Sequence, residues 1–166
     1  MFIFFAALTC LMVLVIYLDA TRYIIPNWLN GLVAILFPLM VLMSPVPVQW
    51  KMALACMLVV FLIGNIIFWL KLMGGGDIKL FAVASLWVGQ HGYAKNMEYV
   101  MVVALLGGAL SVALLLLRRM APLYYGRGEG KVPPRLLQPG APVPYGIAIA
   151  VAFLGYLWTG AILPMQ

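Results

Sequence analysis

Charged residues divide this chain into long uncharged and largely apolar stretches. The stretches are 1–18, 23–50, 52–70, 80–94, 99–117 and 136–166. A membrane-crossing helix needs about 20 apolar residues, and five of these stretches are long enough. The stretch 80–94 is short, and it reaches that length only if its helix begins near Asp77. The pattern predicts an all-α integral membrane protein with one transmembrane domain, 1–166, and six membrane-spanning helices. The predicted spans are about 2–19, 28–46, 52–70, 77–92, 98–117 and 144–163.

The composition agrees with a membrane protein and excludes several other classes. Hydrophobic residues make up 66% of the chain and charged residues 8%, against about 25% charged residues in a typical soluble domain. An ordinary soluble domain, a disordered chain and a disulfide scaffold are therefore excluded. Cys10 and Cys56 both lie in apolar runs, so we interpret them as buried hydrophobic residues. No motif indicates a metal, a nucleotide or an organic cofactor.

The distribution of Lys and Arg predicts the orientation in the membrane. Eight of the ten basic residues lie around three loops, those that join spans 1 and 2, spans 3 and 4, and spans 5 and 6. Cytoplasmic loops carry the excess of basic residues, so these loops should face the cytoplasm and both termini should lie outside. The net charge of +6 is thus attributed to these loops and not to nucleic-acid binding. The eight residues are Arg22, Lys71, Lys79, Arg118, Arg119, Arg127, Lys131 and Arg135; Lys51 and Lys95 lie on the other side.

Two of the four carboxylates have unusual positions. Glu98 begins the fifth span and Glu129 lies in a polar stretch, where a carboxylate is readily solvated. Asp19, by contrast, follows eighteen uncharged residues, and Asp77 begins a predicted span. An ionisable residue in a membrane span is a candidate functional residue. The predicted topology brings both aspartates near the cytoplasmic face, where they could meet. In the alternative interpretation, each caps a helix or pairs with Arg22 or Lys79.

A pair of aspartates can hydrolyse a peptide bond without a metal. Two close carboxylates share one proton, so one can deprotonate a water while the other protonates the carbonyl oxygen. A Ser-His-Asp set is not expected, because the only histidine, His91, lies at the opposite end of the fourth span from Asp77. The segment Gly74-Gly75-Gly76 before Asp77 could admit a substrate backbone, or it could be a plain turn.

These residues resemble the motifs of a known protease family. Gly74-Gly75-Gly76-Asp77 matches the GxGD motif of intramembrane aspartic proteases. Asp19, Pro26 and Asn27 resemble the D-x6-P-N segment of bacterial type IV prepilin peptidases, and Lys79 resembles the end of their GD-x-K motif. Pro144-Tyr145-Gly146, at the start of the last span, resembles their P-x-G motif. The resemblance covers about residues 15–150.

The resemblance implies an aspartic endopeptidase of the bacterial inner membrane, with Asp19 and Asp77 as the catalytic pair. It implies that the substrate is a pilin precursor, reached laterally from the bilayer and cut at the cytoplasmic face. The segment between the first two spans is short and holds no cysteine, whereas larger members carry a cysteine-rich methyltransferase domain there. The chain therefore resembles the small peptidases of Flp-type pili, with archaeal preflagellin peptidases as another compact relative.

Two further points stay open from the sequence. Asp77 begins a helix and Asp19 ends one, so helix dipoles favour Asp77 as the base. Arg22, three residues after Asp19, would instead favour the ionised form of Asp19 and thus Asp19 as the base.

The alternative functions are a small proton-coupled transporter and a non-enzymatic pilus assembly factor, since buried carboxylates also serve as proton relays or structural groups. The sequence determines neither the oligomeric state nor the particular pilin.

Overall fold

The described part of the chain folds into six α-helices in the computed structural model. The structure describes residues 1–125, 134–138, 140–160 and 162–163, without the side chains of 123–125 and 135. A short 3₁₀ helix, Arg135–Leu137, lies between the last two α-helices. The prediction of an all-α fold is confirmed. The α-helices are α1 (Phe2–Arg22), α2 (Asn27–Met43), α3 (Trp50–Trp69), α4 (Gly75–Gly89), α5 (Tyr93–Tyr125) and α6 (Tyr145–Trp158).

Three of these helices are long and apolar enough to cross a membrane. They are α1, α3 and the part of α5 from Tyr93 to Pro122. Two more, α2 and α6, are apolar but shorter. The fourth helix, α4, carries Asp77 and Lys79 near its beginning. Six helices in the predicted order are therefore present, while the crossing of the membrane by all six stays a prediction.

Several helix ends differ from the predicted spans for local reasons. α2 ends at Met43 and not at 46, because Ser44 is extended ahead of Pro45, as residues before proline usually are. α4 begins at Gly75 and ends at Gly89, and Gly92 has a positive φ of 104°. α6 ends at Trp158 and not at 163, two residues before Gly160 with φ 73°. A glycine at positive φ commonly follows a helix end.

The fifth helix is much longer than predicted. It has 33 residues, 93–125, where the prediction was 98–117. At 1.5 Å per residue it is about 50 Å long, so it exceeds a hydrocarbon core of about 30 Å. Arg118 and Arg119 consequently lie on the helix and not in the following loop. Arg127, Glu129 and Lys131 lie outside the described residues, so their predicted loop positions stay predictions.

The short helix α4 is the centre of the fold. It packs against α2, α3, α5 and α6, and α1 packs against α6. Ten of its fifteen residues are buried, as expected for a helix that is surrounded by others. Trp87 anchors it to α2, because its indole N–H donates to the carbonyl oxygen of Val33 at 3.0 Å and its ring meets the Phe37 ring edge-on.

The outer helices present apolar side chains to the surroundings. Leu62, Leu105 and Leu115 on α3 and α5 are each more than 60% exposed, as expected for surfaces in contact with lipid.

The prediction that both cysteines are buried is confirmed for Cys56 and wrong for Cys10, which is exposed on α1. An apolar run on a membrane helix does not distinguish the lipid-facing side from the buried side, because both are apolar.

Close packing of α3 against α4 depends on Gly89. A Cβ atom at this position would lie 2.6 Å from the Cβ atom of Cys56 and 3.3 Å from the Cα atom of Ala53. We expect Gly89→Ala to separate the two helices and to lower the free energy of unfolding by about 1–3 kcal/mol. Thermal unfolding in detergent measures the effect.

Gly108→Ala is the matched control for this substitution. Gly108 lies within α5, and a Cβ atom added there would meet nothing within 4 Å in the described part of the chain. Alanine favours a helix over glycine by about 1 kcal/mol, so this variant should be as stable as the wild type or slightly more stable. Equal stability of Gly89→Ala and Gly108→Ala would contradict the proposed packing constraint.

Candidate active site

Three helix ends meet at one end of the bundle, which we call the site end. The last turn of α1 carries Asp19, the first turn of α4 carries Asp77, and the first turn of α6 carries Gly146 and Ile147. Asp19 is 3% exposed and Asp77 8% exposed. Two carboxylates that are buried in a largely apolar protein need compensating donors, and the helix ends supply them.

Asp19 binds the beginning of α6. The backbone N–H of Ile147 donates to Asp19 Oδ2 at 3.1 Å, and the backbone amide of Gly146 also interacts with this carboxylate. The first N–H groups of a helix have no partner within the helix, and the residue that precedes α6, Pro144, provides no side-chain cap. A side chain from α1 thus satisfies the first turn of α6, at a helix end that favours anions.

Asp77 binds the beginning of its own helix. It is the third residue of α4, and its carboxylate interacts with the backbone amide of Gly74, the residue that precedes the helix. This contact corresponds to the carboxylate half of a capping box. The backbone amide of Gly146 interacts with Asp77 as well as with Asp19, and the two aspartates interact electrostatically with each other. The structure therefore brings together the two carboxylates that the sequence singled out.

The neighbouring basic residues do not neutralise the pair. Arg22 is exposed, and no ion pair joins it to Asp19 among the described residues. Lys79 donates to the side-chain oxygen of Asn27 at 2.8 Å and not to Asp77. Of the alternative interpretation, pairing with Arg22 or Lys79 is therefore wrong, whereas helix capping agrees with the amide contacts of both carboxylates. The pairing of Asn27 with Lys79 also connects two motif residues that lie 52 positions apart.

The structure weakens the sequence argument for Asp77 as the base. From the sequence, only Asp77 is expected at a helix N-terminus. Asp19 does end α1, but its carboxylate faces the amides of α6. Both carboxylates consequently lie at a helix N-terminus, and the helix dipoles do not separate their roles. The pair is best described as one coupled unit.

Glycines allow close approach at three positions, two beside the carboxylates and one beside the backbone of Ile25. A Cβ atom on Gly74 would lie 2.8 Å from Asp77 Oδ2, and one on Gly146 would lie 2.8 Å from Asp19 Oδ2. A Cβ atom on Gly76 would lie 3.1 Å from the backbone oxygen of Ile25. Any side chain at these positions would push against a carboxylate or the backbone. Gly75 differs from them, because its nearest neighbour would be a Phe68 ring carbon at the ordinary distance of 3.5 Å.

Sequence reasoning missed two residues at this site. Ile25 is buried, and its backbone and side chain meet the glycines of both α4 and α6. Asn30 is also buried, and its side-chain nitrogen donates to the carbonyl oxygen of Gly76 at 3.2 Å. Asn30 could have been found from the sequence, since it is a polar residue in an apolar span, three positions after Asn27 and thus on the same helix face.

An open groove of about 700 Å³ lies beside the carboxylates. Its walls are the end of α3 with the segment before α4, and the segment before α6. Gly74 and Tyr145, which flank the two helix N-termini of the site, both line it. The hydroxyl group of Tyr145 is held by α5, since Ser111 Oγ donates to its oxygen at 3.0 Å. The other lining residues are Phe68, Trp69, Lys71, Leu72, Met73, Pro142 and Val143.

Glu98 and the histidine lie away from the pair. Glu98 forms an ion pair with Lys95 at 2.9 Å near the beginning of α5. His91, just after the end of α4, contacts the carbonyl oxygen of Ile162 at 2.9 Å. Among the described ranges, no group of three or more His, Cys, Asp and Glu residues could hold a metal ion.

The glycine contacts predict a graded series of alanine variants. Gly74→Ala and Gly146→Ala should displace Asp77 and Asp19, respectively. If the two aspartates act on the precursor that the sequence resemblance implies, cleavage of that precursor should fall by at least about 100-fold, because small displacements of reacting groups are costly. Gly75→Ala should cleave at close to the wild-type rate. Immunoblots of precursor and product, normalised to the membrane level of each variant, measure the series. Equal loss in all three variants would contradict this account.

Comparison with known proteins gives one match. The profile of the type IV leader peptidase family matches residues 6–117, more than half of the 166 residues. The matched region contains Asp19 and the segment from Gly74 to Asp77, while Pro144, Tyr145 and Gly146 lie beyond it. No curated protein and no solved structure matched the chain. On the family match, this multi-pass helical membrane protein belongs to the type IV leader peptidase family.

Proposed function

We propose that this protein is an aspartic endopeptidase that removes the leader of type IV pilin-like precursors, with Asp19 and Asp77 as its catalytic pair. The observation that carries the proposal is the burial of both carboxylates at one meeting point of helix ends, where Asp19 accepts from the Ile147 amide and both carboxylates interact with the amide of Gly146. Membership of a leader peptidase family supports the same reaction. No cofactor enters the proposed mechanism.

The reaction needs only the two carboxylates and a water molecule. The ionised carboxylate takes a proton from the water, whose oxygen attacks the carbonyl carbon of the scissile bond. The protonated carboxyl group donates its proton to the carbonyl oxygen, and the resulting tetrahedral intermediate collapses with transfer of a proton to the leaving nitrogen. The amides of Gly146 and Ile147 stabilise the ionised carboxylate and hold it in place.

A purely structural role explains the arrangement less well. One carboxylate can satisfy a helix N-terminus, but placing two buried carboxylates close together adds a repulsion that capping does not require. A proton-coupled transporter is also less well supported. Proton relays use chains of polar residues within a span, whereas the other buried residues of α1 are Phe4, Phe5, Leu8, Met12, Val15 and Leu18.

The groove beside the pair suits a substrate that comes laterally from the membrane. Most of its lining side chains are apolar, including Phe68, Leu72 and Val143. Such walls can receive an apolar segment of a precursor. We propose that the pilin precursor lies in this groove, with its scissile bond between Gly74 and Tyr145 and within reach of the carboxylates.

The site end is proposed to face the bacterial cytoplasm. Arg118, near the end of α5, donates to the carbonyl oxygens of Leu136 and Pro142 and thereby lies at the site end. Lys95 lies near the beginning of the same helix. Among the described residues of the larger basic group, Arg22, Lys71, Lys79 and Arg118 lie near the site, as the positive-inside rule expects for a cytoplasmic face.

The protein is proposed to be a small peptidase without methyltransferase activity, which acts on Flp-type precursors. Residues 23–26 alone connect α1 and α2. This connector is too short for a folded domain and contains no cysteine. The choice of Flp-type precursors rests on the resemblance to compact peptidases.

The catalytic assignment predicts the behaviour of asparagine variants. Asp19→Asn and Asp77→Asn should each lower cleavage of a co-expressed precursor by at least about 100-fold, because each removes a group that must carry or accept a proton. Glu98→Gln should retain cleavage, since Glu98 is an exposed carboxylate away from the pair. The size and N-terminal residue of the pilin give the readout.

Membrane levels of all four proteins must be compared in that experiment. Cleavage by either aspartate variant would exclude the pair as the catalytic group. Loss of cleavage by Glu98→Gln alone would move the search to the opposite end of the bundle. A wild type that leaves a matching precursor uncut would favour the transporter or the assembly factor.

The proposed orientation predicts which loops can be labelled from outside. After Cys10 and Cys56 are replaced by alanine, single cysteines are introduced as Val46→Cys between α2 and α3 and Leu72→Cys between α3 and α4. Both native side chains are more than half exposed. A membrane-impermeant maleimide should label Val46→Cys in spheroplasts and Leu72→Cys only after the membrane is opened. The reverse pattern would place the site outside.

A further inference from the structure

The glycine segment before Asp77 needs an external contact to hold it in one conformation. Gly74, Gly75 and Gly76 carry no side chains, and glycine loses more backbone freedom on folding than any other residue. The position of Asp77 depends on this segment, because it forms the beginning of α4. Among the described residues, the side chain that hydrogen-bonds to its backbone from another helix belongs to Asn30 of α2, which donates to the carbonyl oxygen of Gly76.

A second contact between the same two helices lies beside it. Asn27 and Asn30 are three residues apart on α2, and Gly76 and Lys79 are three residues apart on α4, so each pair shares one helix face. Lys79 donates to Asn27 at 2.8 Å and Asn30 donates to Gly76 at 3.2 Å. The contact of Lys79 with Asn27 is exposed, whereas Asn30 is only 5% exposed. The inner contact is therefore the one that water or lipid headgroups replace less easily.

Burial of Asn30 has a cost that a purely structural residue would avoid. Its side-chain oxygen is buried and has no hydrogen-bond partner among the described residues. An unpaired buried acceptor is destabilising, whereas an apolar side chain of similar shape removes both the cost and the bond. Leucine has nearly the same shape as asparagine and suits the apolar surroundings of α2. The side-chain amide of Asn30 is thus explained better by its hydrogen bond to Gly76 than by a contribution to the stability of the fold.

We propose that Asn30 is a positioning residue, which fixes the carbonyl group of Gly76 and thereby holds Asp77 against Asp19. The inference rests on the proposed function of this pair. Asn30 does not touch the reacting atoms, and it acts through the first turn of α4. Without its bond, the glycine segment samples more conformations, and the carboxylates spend less time in the reactive arrangement.

The test compares Asn30→Leu with Asn65→Leu in the purified full-length protein. Asn65 is a matched control, because its side-chain nitrogen also donates to a backbone carbonyl oxygen, that of Phe61, at 2.7 Å. That contact lies within α3 and is exposed. Each protein is reconstituted in detergent micelles with a purified pilin-like precursor, and kcat, KM and thermal unfolding are measured. Wild type and Asp77→Asn are measured in parallel.

Asn30→Leu should lower kcat by about tenfold or more, change KM by less than about threefold, and unfold at the wild-type temperature or above it. Asn65→Leu should match the wild type in all three quantities. This combination separates positioning from stability, because a structural residue would lower the unfolding temperature. Asn30→Ser, which keeps a shorter donor, should give a kcat between those of Asn30→Leu and the wild type.

Three results would overturn the inference. They are an unchanged kcat in Asn30→Leu, a lower unfolding temperature or loss of folded protein in that variant, and a kcat that falls equally in Asn65→Leu. Failure of the proposed function has a different signature. In that case the wild type leaves the precursor uncut, or Asp77→Asn cuts it as well as the wild type does.

Discussion

Two buried carboxylates need hydrogen-bond donors, and this need organises the structure. In a mostly apolar protein, free donors occur mainly at helix N-termini, where the first amides have no partner within the helix. Asp77 uses the beginning of α4, and Asp19 reaches the beginning of α6. The end of α1 must therefore meet the beginning of α6. The Gly146 amide interacts with both carboxylates and so holds the beginning of α4 at the same place, which defines the site end of the bundle.

The close approach of these helix ends explains the small residues there. Gly74 and Gly146 lie where a Cβ atom would press on a carboxylate oxygen, and Gly76 lies where it would press on the connector after α1. Ile25 fills the space that the glycines leave. Gly75 lacks such a constraint, so the spacing of the GxGD motif has a direct steric explanation: the two glycines that matter flank one that does not.

The same geometry limits how the two aspartates can be distinguished. Each carboxylate faces backbone amides, and Gly146 interacts with both. Helix dipoles therefore act on the pair and not on one member. The basic residues nearby contribute little, since Lys79 binds Asn27 and Arg22 is exposed. A groove lined by Gly74 and Tyr145 runs beside the two helix N-termini that hold the pair.

The sequence by itself determined the helical membrane class, the order of the helices and the two candidate aspartates, because charges and apolar runs are local signals. The predicted helix ends were less accurate, as the 33 residues of α5 show. The exposure of Cys10 on α1 was also predicted wrongly, because the lipid and the core select equally apolar side chains. Only the tertiary structure brought Asp19 to Ile147, 128 positions away, and Asn30 to Gly76. Such contacts depend on how helices pack, and no local pattern in the chain encodes which helix end meets which.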